Sequence, residues 1–294
     1  MSPTRFAIVT DSTCDLARDW LEGHDVAFVG QHVRMGAVEL RDLVDVSSED
    51  FYVRLALSKE DPLPFCPSAG EFMAVYEELA GAGFERVVSV HPSQGVSGTV
   101  GSARAAARSV KHDVRVDVID TGLASAGLAI VVDALRDARD SGATADEGIA
   151  RAQGVAAATC LCLVPRAPLS VRSGTLRRSA GILSRMLGTT PLVRLDARGL
   201  VEEARTADVA DLTGRIARLM SRYAGQVGPL EYVEVNAGMP RNLRLVEKPL
   251  VTNEFDSRRA GILNASPSVV STAGLGSVGI AFVPKAVHTP RLGE

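Results

Sequence analysis

The hydrophobic pattern of the first half of the chain alternates between two periods. Short apolar runs predict buried strands, and apolar residues spaced three to four apart predict helices. The predicted strands cover residues 6–10, 26–33, 87–90 and 114–119, and apolar helical spacing covers 16–21, 51–57, 72–79, 100–110 and 128–138. Residues 35–40 predict a hairpin-like excursion after the second strand. Because strands and helices alternate, we expect a mostly parallel sheet with helices on both faces.

The second half of the chain shows a different pattern. After a connecting helix at 143–158, the sequence predicts strands at 159–164, 190–194, 200–205 and 232–235 and helices at 176–187 and 209–223. Few of these strands alternate with helices, so a mixed or antiparallel sheet is favoured over a second parallel one. The sequence therefore predicts an α/β protein of two domains, an N-terminal α/β domain over 1–158 and a C-terminal α+β domain over 159–294.

The turn at residues 93–103 is the strongest candidate for a binding site. It lies between a predicted strand and a predicted helix, and the first amides of a helix attract anions because they lack partners within the helix. Gly98 lets the backbone approach a ligand closely. Ser97 is placed to cap the helix by accepting from the amide near Val100, while its own proton points outward, and Thr99 follows it. Capping alone is the alternative role for Ser97.

Two other polar loops follow the same logic. Thr10, Asp11 and Ser12 lie at the carboxyl end of the first predicted strand, where parallel sheets gather ligands. The alternative is that Asp11 and Ser12 only start a helix. Ser68 and Glu71 form a capping-box pattern that opens another helix, whose N-terminus could face the same cleft.

Composition narrows the classes of function. The chain has 46% hydrophobic residues and a net charge of −3, which gives no reason to expect a nucleic acid partner. The longest uncharged run, 260–284, is interrupted by Asn264 and Pro267, so no integral membrane contact is expected. The amino terminus carries no signal-peptide pattern, which favours a cytoplasmic protein. Cys160 and Cys162 lie in an apolar run without other ligands nearby, and the histidines are dispersed, so neither a metal nor a cofactor is expected.

Two segments resemble known catalytic or cofactor-binding motifs, but the residues around them do not fit those motifs. Residues 274–279 match the dinucleotide pattern GxGxxG, but the chain stops before a strand-helix-strand unit could follow. Residues 95–99 resemble a nucleophile elbow, but Thr99 stands where the second glycine should be.

Four separated segments resemble one bacterial family, the DegV proteins. The matching segments are Phe6–Leu16, Cys66–Phe72, Val96–Ala103 and Val278–Phe282. The resemblance implies a two-domain α/β fold that holds a long-chain fatty acid, such as palmitate or oleate, in a tunnel between the domains. It also implies a carboxylate held by a serine and a threonine. Some members are the binding subunit of a fatty acid kinase and present the carboxylate to a separate ATP-dependent subunit that makes an acyl phosphate.

Ser97 matches the family's serine, but three other headgroup positions differ. The threonine falls at Pro64, the arginine at Thr175 and the histidine at Thr272. Nearby arginines could substitute for the lost one, namely Arg172, Arg177 and Arg178. Burying roughly fourteen methylenes at ~0.8 kcal/mol each contributes on the order of 11 kcal/mol, against about 1.5–3 kcal/mol for a charge-assisted hydrogen bond. Tail binding should therefore survive, whereas phosphoryl transfer depends on the lost charges.

Three hypotheses follow from the sequence. The first is a fatty-acid-binding protein without catalysis of its own, with Ser97 and nearby helix amides at the headgroup. The second is an enzyme that acts on a small anionic or phosphorylated substrate through Asp11 and the Ser97 loop. The third is an interaction scaffold with a filled pocket. A deep apolar tunnel would favour the first, a shallow polar cleft the second and solid packing the third.

Overall fold

The fold is taken from a computed structural model that describes residues 6–110, 114–172, 175–178 and 188–292. The elements of the first half are β1 (Ala7–Asp11), α1 (Arg18–Gly23), β2 (Val26–Val29), β3 (His32–Met35), β4 (Val38–Arg41), α2 (Ser48–Leu57), β5 (Leu63–Phe65), α3 (Ala69–Gly81), β6 (Arg86–His91), α4 (Thr99–Ala107), β7 (Arg115–Asp120), α5 (Ser125–Asp140) and α6 (Ala145–Ala158).

The elements of the second half follow directly. They are β8 (Cys160–Val164), β9 (Leu169–Arg172), β10 (Thr175–Arg178), β11 (Thr190–Asp196), β12 (Gly199–Thr206), α7 (Val209–Val227), β13 (Leu230–Asn236), α8 (Arg244–Thr252), β14 (Ser257–Asn264), α9 (Pro267–Ala273) and β15 (Val278–Pro284). Short 3-10 turns cover Ser12–Cys14 and Pro240–Leu243.

The first sheet is parallel, as the sequence predicts. Its strand order is β2-β1-β6-β7, and every neighbouring pair runs in the same direction. All five residues of β1 are buried, because helices cover both faces of a parallel sheet. The polar loops that follow β1 and β6 therefore leave the sheet at the same edge.

A small antiparallel sheet has the order β4-β3-β5. The hairpin of β3 and β4 confirms the predicted excursion, but the single strand predicted over 26–33 is wrong. The chain passes from the first sheet to this one at Gly30 and Gln31. A Cβ at residue 30 would lie 2.7 Å from the carbonyl oxygen of Asp42, so a glycine is needed where the two segments cross. The segment Leu63–Phe65 contains Pro64, yet it forms the strand β5 because it pairs with β3.

The second large sheet is mixed, which confirms the predicted class. Its order is β12-β11-β8-β15-β13-β14, and only β13 and β14 are parallel. Helices α7 and α8 pack on one face over Cys160 and Cys162. The other face meets α5 and α6. The second large sheet therefore packs against α5 from the side opposite to the first sheet. The domain boundary between residues 158 and 159 stays a prediction.

Helix α5 is buried along most of its length because it lies between the two large sheets. It contacts β1 and β6 of the first sheet and β8, β13 and β15 of the second. Every residue from Ser125 to Arg136 is buried. A mostly apolar helix is expected between two layers of protein, and its buried charged residues Asp133 and Arg136 form an ion pair with each other.

The helix predicted at 176–187 is wrong where the structure describes it. Residues 175–178 form β10, which pairs antiparallel with β9. Strand pairing supplies long-range hydrogen bonds that override the local apolar spacing. Residues 179–187 of that prediction lie outside the described residues.

The dinucleotide pattern at 274–279 leads into β15, whereas the glycine turn of a dinucleotide-binding unit leads into a helix. In the described ranges of the chain no helix is long and apolar enough to cross a membrane.

Candidate functional site

A cavity of about 360 Å³ lies between the two large sheets. The first half of the chain lines it with Thr13, Gln31, Pro64, Phe65, Cys66, Pro92, Val96, Ser97, Gly98, Ala124 and Ser125, and the second half with Leu161, Leu163, Val193, Leu195, Ser268, Val269, Thr272 and Ala273. The lining is mostly apolar, and none of these described residues is an acid, a histidine, a lysine or an arginine.

The apolar floor of the cavity comes from alternate residues of two paired strands. Leu161 and Leu163 lie in β8, and Val193 and Leu195 lie in β11. Side chains two apart point to the same face of a strand, and the antiparallel register places Leu163 opposite Val193 and Leu161 opposite Leu195. The four side chains therefore form one continuous apolar surface facing the polar loops of the first sheet.

Ser97 lies at the side of this cavity, in the turn between β6 and α4. Its Oγ is 2.7 Å from Oγ1 of Thr99 and accepts from the amide of Thr99 at 3.3 Å. The prediction that this hydroxyl would cap the helix near Val100 is wrong. The helix begins at Thr99 with Gly98 as its cap, and no side chain makes the capping bond. Since the chain turns one residue later than expected, the Ser97 side chain reaches the cavity wall.

Gly98 allows two loops to meet at this point. A Cβ on residue 98 would lie 3.2 Å from Sγ of Cys66, closer than most side-chain contacts. The glycine therefore brings the Ser97 turn against the loop that leads from β5 to α3. Thr99, by contrast, is fully buried behind the wall.

Asp11 belongs to a layer behind the cavity and does not line it. Its Oδ1 accepts from the amide of Thr13 at 3.1 Å, from the Thr13 hydroxyl at 2.5 Å and from Nε2 of Gln31 at 3.0 Å. Its Oδ2 lies 2.7 Å from Nδ1 of His91. Since a carboxylate oxygen can only accept, we assign the proton to Nδ1. All of these partners are buried, so Asp11 presents no free oxygen to a substrate.

The other two residues of the first loop also lie behind the cavity. The Thr10 hydroxyl donates to the carbonyl of Val90 at 3.0 Å, and the Ser12 hydroxyl donates to Oδ2 of Asp42 at 3.1 Å. The expectation that Thr10, Asp11 and Ser12 line the site is therefore wrong. Thr13, one residue further on, is the one that reaches it.

Gln31 is a lining residue that the sequence did not identify. Its Nε2 donates to Asp11 and also to Oγ1 of Thr99 at 2.9 Å. It thereby connects the buried Asp11 to the hydroxyl pair of Thr99 and Ser97. One feature of the sequence could have identified it. Gln31 lies inside the apolar run 26–33 that predicts a buried strand, and a buried side-chain amide needs hydrogen-bond partners.

Two buried carboxyls hold the start of α9, the helix that carries Val269 and Thr272 into the cavity. Oδ1 of Asp15 accepts from the amide of Ser266 at 2.7 Å, and Oδ2 of Asp42 accepts from the amide of Ser268 at 2.9 Å. These bonds tie the second half of the chain to the loops of the first.

Both carboxyls have perturbed pKa values for the same reason. Burial raises the pKa of Asp15 to about 7 and that of Asp42 to about 7, because the charged form loses its water. Hydrogen bonds from Ser125 to Asp15 and from Ser268 to Asp42 oppose this effect only in part. Oδ1 of Asp42 is buried and has no hydrogen-bond partner among the described groups, so no bond compensates the charged form at this oxygen.

The remaining predicted positions are spread around the cavity. Pro64 and Thr272 line it, and the Thr272 hydroxyl donates to the carbonyl of Ser268 at 3.1 Å. Ser68 forms the predicted capping box with Glu71 but is not in the lining. Thr175 lies in β10, also outside the lining. The side chains of the suggested substitutes, Arg172, Arg177 and Arg178, lie outside what the structure describes.

The described residues contain no group of three or more His, Cys, Asp or Glu side chains that could hold a metal ion. Cys160 and Cys162 pack in the core under α7, and a hydrogen bond with Cys160, together with burial, raises the pKa of the Cys162 thiol.

Comparison with known proteins gives one consistent family. The family model described as an uncharacterised protein of the DegV family matches residues 5–285. A DegV domain-containing protein of Streptomyces coelicolor is 30% identical over 226 residues, which cover 76% of this chain and 77% of that protein. One from Staphylococcus aureus is 28% identical over 287 residues, which cover 96% of this chain and 100% of that protein.

Solved structures share the fold. A stearic acid-binding protein of Eubacterium ventriosum is similar with a TM-score of 0.81 at 19% identity, covering 95% of this chain and 98% of that one. The fatty acid binding protein DegV of Bacillus subtilis gives a TM-score of 0.80 at 20% identity, covering 95% of this chain and 99% of that one. At these identities the similarity establishes the fold.

Proposed function

Because the chain belongs to the DegV family, we propose that it binds a long-chain fatty acid, such as palmitate or oleate, in the cavity between the two sheets. The observation that carries the proposal is the cavity itself, an apolar space with Ser97 in its wall. Its volume of about 360 Å³ falls within the range of small-molecule pockets, about 300–1,000 Å³. The structural neighbours described as binding stearic acid or fatty acids support the same ligand class.

The tail supplies most of the binding free energy in this proposal. The surface formed by Leu161, Leu163, Val193 and Leu195 offers it apolar contacts, and α9 adds Val269 and Ala273. Burying an acyl chain of roughly fourteen methylenes contributes on the order of 11 kcal/mol before ordering costs. In this proposal the acyl chain lies between the two domains predicted from the sequence, 1–158 and 159–294.

The headgroup lies beside Ser97 in this proposal, with the amides of the Gly98–Thr99 turn nearby. Pro64 offers no hydroxyl, and the Thr272 hydroxyl is already bonded to Ser268, so Ser97 is the main donor. Asp11 and Thr99 act from behind by holding Gln31 and Ser97 in place.

We propose no catalysis by this chain alone. The alternative enzyme would need Asp11 to meet a substrate, and all of its bonds are made to buried protein groups. Presentation of the fatty acid to a separate ATP-dependent kinase subunit is the narrower form of the proposal. Formation of acyl phosphate after mixing with such a subunit and ATP would test it.

The binding proposal is tested by native mass spectrometry of the protein extracted from cells and by thermal shift with palmitate and oleate. An acyl ligand that copurifies, or a rise in melting temperature with added lipid, is expected. A cavity-filling variant, Val269→Phe, should abolish the shift and keep a cooperative unfolding transition. Ser109→Ala, on the exposed end beyond α4, is the matched control. Absence of both a copurified lipid and a shift would refute the proposal.

A further inference from the structure

The wall of the cavity is backed by acidic groups. Asp11 accepts from Thr13 and Gln31, as described above. Asp15 accepts from the hydroxyl of Ser125, and Asp42 from the amide of Ser268. In each case a buried carboxyl stands directly behind a residue that lines the cavity.

The described titratable groups around the site do not balance these acids with a free cation. His91 is bonded to Asp11. His32 stacks on Phe65 at 5.0 Å and lies between Glu71 at 2.8 Å and Glu39 at 3.1 Å. Cys66 is the one titratable side chain in the described lining. A negative charge in this cavity would face the buried Asp11 carboxyl across one layer of side chains, and also Asp15 and Asp42 at a pH where those two are ionised.

The polar lining residues direct most of their protons away from the cavity. Thr13 donates to Asp11, Ser125 donates to Asp15, and Thr272 donates to the carbonyl of Ser268. Each of these hydroxyls has one proton and has therefore used it. They can accept a hydrogen bond from a ligand but cannot donate one.

Gln31 orients the remaining donor. Both protons of its Nε2 are used, by Asp11 and by Thr99. Nε2 must face Asp11 because a carboxylate oxygen only accepts, which fixes the orientation of the amide. Thr99 accepts from Gln31 and can then donate to Ser97 at 2.7 Å, which leaves the Ser97 proton for the cavity. The carbonyl oxygen of Gln31 has no partner among the described groups and is an available acceptor.

Ser97 as a hydroxyl donor and Gln31 as an acceptor, with buried carboxyls behind the wall, suit an uncharged headgroup. An ionised carboxylate buried without a cation or several donors costs several kcal/mol more than a hydrogen-bonded neutral group. A carboxylic acid needs one donor for its carbonyl and one acceptor for its hydroxyl. We propose that the cavity holds the fatty acid in its protonated, neutral form, with Ser97 donating to the carbonyl oxygen and Gln31 accepting from the acid hydroxyl.

This inference rests on the proposed function and specifies the ligand's state of ionisation. Free fatty acid ionises close to the value of a simple carboxyl, about 4.3 for a Glu side chain. Binding at neutral pH therefore takes up a proton. The apparent affinity should fall about tenfold per pH unit above that value until the bound acid itself ionises, since only the neutral form binds well.

The direct test is carbon-13 NMR of palmitate labelled at the carboxyl carbon and bound to the delipidated, full-length protein. The expected result is a carboxyl resonance that titrates at least two pH units above that of free palmitate. A bound carboxyl that stays ionised down to pH 5 would overturn the inference. In that case Arg172, Arg177 and Arg178 would be the first residues to replace in search of the neutralising charge.

A second test compares three ligands with the same chain length at pH 8 by displacement of a fluorescent fatty acid. Palmitamide, which is neutral and has both a carbonyl and a donor, should bind at least tenfold more tightly than palmitate. If palmitate binds tenfold more tightly than palmitamide and 1-hexadecanol, the inference is overturned and the binding proposal stays intact. Failure of all three to bind at any pH between 5 and 8 would instead overturn the binding proposal, and this inference with it.

Matched variants separate electrostatics from packing. Thr272→Lys places a cation in the lining and should reverse the preference in favour of palmitate at pH 8. Thr272→Val keeps the shape without a charge and should leave the preference for palmitamide unchanged. If Thr272→Lys and Thr272→Val show the same ratio of palmitamide affinity to palmitate affinity, the electrostatic argument is contradicted. A site that selects ligands by shape alone would not respond to the added charge.

Discussion

Asp42 offers the sharpest test of the physics that holds α9 against the first half of the chain. Its side chain is fully buried, Oδ2 accepts from Ser12 and Ser268, and Oδ1 has no partner among the described groups. Asp42→Asn would keep an oxygen at the position of Oδ2 and place an uncharged NH₂ group at the position of Oδ1. The variant therefore removes the cost of ionisation with little change in shape.

The magnitude follows from the raised pKa. Burial moves the pKa of Asp42 from 3.8 to about 7. Because the folded state holds this proton more tightly than the unfolded state, the contribution of Asp42 to the free energy of unfolding is highest below about pH 4. It decreases as the pH rises toward 7 and is constant above that value. Each pKa unit corresponds to about 1.4 kcal/mol, so the loss attributable to Asp42 is about 4 kcal/mol.

Urea unfolding of the delipidated protein between pH 4 and pH 8 measures this effect. Between pH 4 and pH 8 the free energy of unfolding of Asp42→Asn should rise by about 4 kcal/mol relative to that of the wild type. Asp15, whose pKa is also raised to about 7, should retain its own share of the pH dependence. Asp45→Asn is the control, since Asp45 is exposed and Arg41 lowers its pKa to about 2, below the range measured. The reasoning is refuted if the pH dependence of Asp42→Asn is the same as that of the wild type.

Three further predictions concern the site and the core. Ser97→Ala should weaken palmitate binding about three- to tenfold, equivalent to about 0.5–1.5 kcal/mol, with an unchanged melting temperature without ligand; equal affinity in a titration would exclude Ser97 from the headgroup. Gly148→Ala should lower the free energy of unfolding by about 1–3 kcal/mol, because its Cβ would lie 2.8 Å from Phe6 and 3.0 Å from Leu135. Gly154→Ala in the same helix meets nothing within 4 Å and should raise it by up to about 1 kcal/mol in urea unfolding, so equal effects of the two changes would contradict the packing argument. Tyr52→Phe should cost about 1–2 kcal/mol by the same measurement, since the Tyr52 hydroxyl donates to the carbonyl of Ala265 at 2.5 Å and joins α2 to the second half of the chain; no loss would show that this bond does not stabilise the fold.

Local features of the fold were readable from the sequence because short-range physics produces them. The alternation of strands and helices up to α6 reflects periodicity within each segment. The apolar residues from Leu128 onward predicted the helix α5 from its own spacing. Ser68 and Glu71 are three residues apart, so their capping box depends on one turn of helix and on nothing distant. The strands β14 and β15 and the helices α8 and α9 were not predicted, because Gly, Ser, Thr and Pro interrupt their patterns and pairing with distant strands stabilises them.

The part of the site that depends on neighbouring residues was also predicted from the sequence. Ser97 and Gly98 follow a strand and precede a helix, so their turn could be found from neighbouring residues alone. Thr10, Asp11 and Ser12 were assigned to the site by position at a strand end, but a strand end does not specify which side chains turn inward. Gln31 gave little signal, because its partners Asp11 and Thr99 are 20 and 68 residues away.

The sequence by itself determined the α/β class, the turn that carries Ser97 and the apolar strands that floor the cavity, since each depends on residues close together in the chain. Only the tertiary structure decided that these parts enclose a space and that carboxyls stand behind its wall. Asp15 and Asp42 reach α9 across 251 and 226 residues of sequence. Contacts at such separations form only when the whole chain folds, and no local preference encodes them.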